Sequence, residues 1–156
     1  MTIRLLVAVD GSDNALLAVH HAMALCRHGL RAEVVVLQVQ EEASFLQLAT
    51  QDPDAIAQAA VEAGEHLMAP AIGLLTQAGI DWTQEVAVGE PAPTIVDMAE
   101  RLQCDQIIMG ARGVSGLAAW MGSVSQSVLK QSHVPVTIVK PPLESAEEVL
   151  GENEEE

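Results

Sequence analysis

Between Gly110 and Ser125 the chain reads GARGVSGLAAWMGSVS, which crowds Gly110, Gly113, Gly116 and Gly122 around a single cation, Arg112. Glycines this close let main-chain N–H groups turn inward and let a ligand approach with no Cβ in the way. Gly122, Ser123 and Ser125 then open a helix, which puts orphan amides and two hydroxyls at its positive end. A phosphate fits there. Taken alone, the pattern equally suits a long loop ahead of a serine-capped helix. The elements around it must decide.

Ile3 to Val9 is apolar except for Arg4 and reads as a strand buried on both faces. After the Asp10-Gly11-Ser12 break, Asn14 to Arg27 carries Leu16, Val19, Met23 and Cys26 at helical spacing until Gly29 stops it. Ala32 to Val39 is a second strand, followed by a polar loop from Gln40 to Pro53. Asp52 caps a long helix running to about Gln77, and Pro70 is expected to kink or divide it. Trp82 to Val88 alternates as a third strand, and Pro93 to Leu102 places Ile95, Met98, Ala99 and Leu102 on one helical face. Gln106 to Met109 is the fourth strand, Ser123 to about Gln131 a helix, and Val136 to Val139 the fifth strand.

Short apolar strands alternating with helices predict one α/β domain, an open five-stranded parallel sheet covered by helices on both faces. Right-handed crossovers bring the strand ends at Asp10, Val39, Gly89 and Gly110 to one edge. Ligands settle at that edge, where the strand order reverses.

Composition bounds the function. The 156 residues carry a formal charge of −15, unsuited to nucleic acid or anionic membrane, which require clustered Lys and Arg. Seven glutamates after residue 142 leave −8 on the remainder, so residues 1–142 read as the domain and 143–156 as an acidic, flexible tail. No apolar run approaches the roughly 20 residues of a membrane span. The N-terminal stretch runs into Asp10 rather than a cleavage site. Cys26 and Cys104 make no secreted disulfide framework. These features lead to the expectation of a soluble, cytoplasmic protein.

The pieces VAVDGS, VVVLQV, GEPAPTIVDMAE, CDQIIMGARG and MGSVSQSVLKQSHVPVTIV resemble, in this order and spacing, the universal stress protein family over residues 2 to 140. The resemblance implies a Rossmann-like sheet in the order 3-2-1-4-5 and a homodimer paired through Val136 to Val139. One branch of the family binds ATP or AMP and is marked by Gly, two residues, Gly, nine residues, then Gly with Ser or Thr. Gly110, Gly113 and Gly122-Ser123 match, but Val114 to Met121 is eight residues, one short. Flexible loops absorb such length changes cheaply. Carried over residue by residue, Ala8, Val9 and Asp10 wall the nucleoside, and Val39 packs the base and bonds it through its backbone. Met109 and Gly110 line the ribose, and Gly113, Gly122, Ser123, Val124 and Ser125 face the phosphates. Mg²⁺ would accompany ATP.

Several residues keep two readings. Arg112 either pairs with a phosphate or faces solvent. Asp10 either serves its turn or contacts ligand, Ser12 reads as a helix cap, and Trp120 packs beneath the loop or stacks on a base. The five histidines show no metal spacing. For catalysis the chain offers no P-loop lysine, and GVSG around Ser115 is not a nucleophile elbow. Strand three ends in Val88-Gly89-Glu90 without the phosphoacceptor Asp of a receiver domain. The expectation is a dimeric nucleotide-binding stress or signalling module. Its alternatives are a nucleotide-independent interaction module or, less favoured, a slow ATPase or phosphotransferase.

Overall fold

A computed structural model describes residues 1–41, 52–111 and 122–142. Arg112, Gly113, Ser115, Trp120 and the acidic tail therefore lie outside the described residues, as does most of the loop before Asp52. Nine elements follow in order: β1 (Ile3–Ala8), α1 (Asp13–Arg27), β2 (Ala32–Gln40), α2 (Pro53–Gln77), β3 (Trp82–Val88), α3 (Pro91–Arg101), β4 (Gln106–Gly110), α4 (Ser123–Gln131) and β5 (Val136–Val139). The strands form one parallel sheet in the order β3-β2-β1-β4-β5.

Strand alternation sorts the apolar side chains into two layers. Leu5, Val7, Val34 and Val36 meet Ala18, Val19 and Ala22 of α1 and Met68, Ala71 and Leu75 of α2. On the opposite face Leu6, Val35, Leu37 and Ile107 meet Ile95 and Ala99 of α3 and Val128 of α4. Each fully buried Val, Leu, Ile or Met side chain among them contributes about 1.5–3 kcal/mol. The small residues on α1 let that helix lie close to the sheet.

Several element ends differ from the sequence reading by one or two residues, β1, α1 and β4 among them, and three differences have a clear physical reason. α2 runs unbroken through Pro70, so the proline does not divide it. Pro70 and the preceding turn at Glu65 and His66 are exposed, so water can take up the carbonyl freed by the missing N–H. α3 begins at Pro91 rather than Pro93, because a proline at the first helical position sacrifices an N–H that has no helical partner anyway. β2 continues to Gln40 because β3 pairs with it as far as Val88, while β1 stops at Ala8.

Candidate functional site

The unequal strand lengths create the site. The ladder between β1 and β2 closes where the Val9 N–H donates to the Leu37 carbonyl at 2.9 Å. Main-chain groups of alternate residues point to opposite sides of a strand, and the Gln40 carbonyl already accepts from Gly89 on the β3 side. Val39 therefore turns its N–H and C=O towards β1, beyond the point where β1 has ended. The N–H is unpaired among the described residues, and the carbonyl beside it accepts from Gln38 Nε2 at 3.0 Å with one lone pair left over.

On the far side of β1, β4 ends at Gly110. The Gly110 position has a structural reason: a Cβ there would stand 2.5 Å from the Asn14 carbonyl oxygen, so only glycine lets the first turn of α1 lie against β4. The Gly122 N–H donates to the Ala111 carbonyl, and the Ala111 N–H donates to Val139 at 3.0 Å. The two ends of the glycine loop are thus tied together despite its shortness. Gly122 caps α4 without a side-chain bond. No described residue accepts from the N–H groups of Ser123, Val124 and Ser125. These amides form the positive end of the helix dipole.

Between the Val39 edge and the α4 amides lies a cavity of ≈ 330 Å³. This is at the lower end of the about 300–1,000 Å³ usual for small-molecule sites. Ala8, Val9, Asp10, Val39, Met109, Gly110, Gly122, Ser123, Val124 and Ser125 all line it. Ten of the twelve expected site residues are therefore brought together, and the other two, Arg112 and Gly113, are outside the described residues. Ala15, Leu37, Gln38, Glu41, Pro91 and Ile95 also line it and were not anticipated. Leu37 was findable, being two residues from Val39 and so on the same strand face. Pro91 and Ile95 lie in the GEPAPTIV stretch, but only the packing of α3 over β2 brings them to the wall.

Two polar side chains have specific duties. Asp10 Oδ1 accepts from the Ser12 N–H at 3.0 Å and from the Ser12 hydroxyl, while Ser12 Oγ accepts from the Ala15 N–H at 3.2 Å. Ser12 is the α1 cap, as expected, and one oxygen of Asp10 serves the turn while the residue still lines the cavity. Ser125 corrects an expectation. Its buried hydroxyl is not turned to a phosphate: it lies 3.0 Å from the Ala111 carbonyl and 3.2 Å from that of Gly110, both pure acceptors, so it donates its proton there. The α4 amides and Ser123 remain at this end of the cavity. Among the described residues no group of three or more His, Cys, Asp or Glu is placed to hold a metal ion, and no helix is long and apolar enough to cross a membrane.

A sequence model of the universal stress protein family matches residues 1–140. The chain belongs to the universal stress protein family. Universal stress protein MJ0531 of Methanocaldococcus jannaschii is 31% identical over 141 residues, which cover 89% of this chain and 82% of the relative. The solved structure of protein MJ0577 from the same organism superposes with a TM-score of 0.78 at 29% identity, over 91% of this chain and 98% of that one. More distant structures share the fold and carry nucleotides. They are a universal stress protein with cAMP (TM-score 0.63, 23% identical, 89% and 97% covered), an Arabidopsis thaliana family protein with AMP (0.63, 17%, 90% and 92%) and the Archaeoglobus fulgidus protein with dAMP (0.62, 22%, 90% and 98%).

Proposed function

We propose that this universal stress protein binds an adenine nucleotide, ATP or AMP, in the cavity over the end of β1, and acts as a dimeric stress-response or signalling module. The observation that carries the proposal is that the Val39 N–H, and the Val39 carbonyl with one lone pair still open, face the α4 amides across one cavity. A 6-aminopurine complements the Val39 edge, its amino group donating to the carbonyl and its ring nitrogen accepting from the N–H. The phosphates then reach Gly122 to Ser125, where the helix dipole contributes ~0.3–2 kcal/mol and each bond to a charged oxygen about 1.5–3 kcal/mol. Asp10, Ala8 and Val9 border the ribose, as do Met109 and Gly110. Arg112 and Gly113 are the loop residues assigned to the phosphates, and Mg²⁺ enters with ATP, carried on its phosphates. Nucleotides in similarly folded family members support the ligand class.

For the dimer, β5 is the sheet edge, and each of its four residues is only partly buried. Its Val136 and Ile138 main-chain groups point away from β4, since Pro135 and Val139 spend their carbonyls on Ile107 and Ala111. That outward edge suits pairing with a second copy across a two-fold axis.

Titration calorimetry of the purified protein with AMP and ATP tests the ligand. The expected result is saturable binding of at least one nucleotide. No heat at ~1 mM nucleotide, where even a binding free energy of about −4 kcal/mol is visible, would overturn the reading in favour of a nucleotide-independent interaction module.

A further inference from the structure

Two glutamines sit in an otherwise apolar stretch of the sheet. Gln38 and Gln40 are 5% and 9% exposed, on the face of β2 that packs under α2. Gln38 Nε2 donates to the Val39 carbonyl at 3.0 Å, and Gln38 Oε1 accepts from Gln40 Nε2. The Val39 carbonyl, which can only accept, sets the direction of the Gln38 amide, and Gln40 holds it there. Turned over, Gln38 would press its oxygen against the Val39 oxygen and its nitrogen against that of Gln40.

The pair needs room, and Gly64 supplies it. A Cβ at Gly64 would stand 3.2 Å from Gln38 Oε1 and 2.6 Å from a Val86 methyl. A glycine inside a helix and two buried amides each cost stability unless something requires them. These costs converge on a residue whose side chain also lines the cavity.

We propose that Gln38, held by Gln40, is a positioning residue for base selection: it fixes the Val39 carbonyl as an acceptor and so favours 6-amino over 6-oxo purines. This inference rests on the nucleotide reading above. A carbonyl oxygen has two lone pairs. Gln38 takes one from the α2 side and leaves the other for the amino group of the base. A 6-oxo purine reverses both partners, setting its oxygen against the Val39 carbonyl and its ring N–H against the Val39 N–H. A pinned carbonyl cannot tilt away from that clash. Without Gln38 that peptide is held by its β3 pairing alone, its carbonyl tilts more easily, and discrimination falls.

The test is calorimetric titration of the full chain with AMP and with IMP, whose common phosphate cancels from the affinity ratio. Wild type is expected to prefer AMP by roughly tenfold or more, as a site built around a polar contact does. Gln38→Leu, and Gln38→Met of similar length, both of which remove the donor, are expected to shrink the ratio at least about threefold, the scale of one net hydrogen bond. A purely structural role would lower the melting temperature and leave the ratio in place. Gln40→Met keeps Gln38 but releases its amide, and its ratio decides the matter should the Gln38 variants fail to fold. Smaller changes in the folded variants, or equal wild-type affinity for AMP and IMP, overturn this inference while the nucleotide reading stands. Binding of neither by wild type overturns both.

Discussion

Ser125 illustrates how a side chain suited to one task is used for another. Its hydroxyl closes the junction between β4 and α4 by donating to the carbonyls at the strand end, and this holds the α4 amides where they face the cavity. Gln103 is a second residue under constraint. It adopts φ 54° just past the end of α3, a left-handed conformation that costs an L-residue about 1–2 kcal/mol. Gln103→Gly is expected to stabilise the protein by about 0.5–1 kcal/mol, part of the relief being offset by the freer unfolded chain. Urea denaturation checks it. Next to it, burial pushes the Cys104 thiol up from 9.0 to about 11, with Arg4 opposing and Asp105 and Glu33 assisting. The folded state holds that proton more tightly than the unfolded state. The associated stability is therefore complete below pH 9.0 and lost as pH rises towards 11. Urea midpoints across this window should fall more steeply for the native protein than for Cys104→Ala.

At the scale of elements, the site depends on where strands stop. β1 is short, β2 and β4 flank it, and the gap above it becomes the cavity. Gly110 lets α1 close the floor of this arrangement. Gly110→Ala should destabilise by about 1–3 kcal/mol, because the added methyl meets main chain that cannot rotate aside. Its nucleotide affinity should fall as well, since α1 and β4 move apart beneath the ligand; denaturation and calorimetry read the two effects. At the β5 edge, Ile138→Pro removes an outward N–H and spares the β4 ladder. Light scattering should find a monomer with an unchanged far-ultraviolet circular dichroism spectrum. A dimer that survives the substitution would place the interface elsewhere.

For the whole molecule, the proposed nucleotide binding is expected to be linked to folding, because the cavity draws on β1, β2, β4, α1, α3 and α4 together. An unfolded chain cannot assemble it. A hundredfold excess of AMP over its dissociation constant should add about 2.7 kcal/mol. For a chain of this size that corresponds to a melting temperature raised by roughly 5–10 °C, measurable by scanning calorimetry. IMP should give a smaller rise at equal concentration if Val39 selects the base. The net charge of −15 opposes compaction through self-repulsion.

The order of elements was legible in the sequence because apolar runs and helical spacing are local, and Gly29, Asp52 and Gly89 punctuate them through backbone preferences that act wherever they stand. The glycine loop and its serines likewise raised the expectation of an anion site through local chemistry. What only the tertiary structure decided were relations between distant residues. β1 stops before β2, which frees the Val39 edge; α1 rests on Gly110; the Ser125 hydroxyl goes to strand carbonyls; and Gln38 bonds the Val39 carbonyl from beneath α2. Each depends on which main-chain group another element leaves unpaired or fills, and hydrogen-bond partners of that kind are chosen by packing rather than by sequence neighbours.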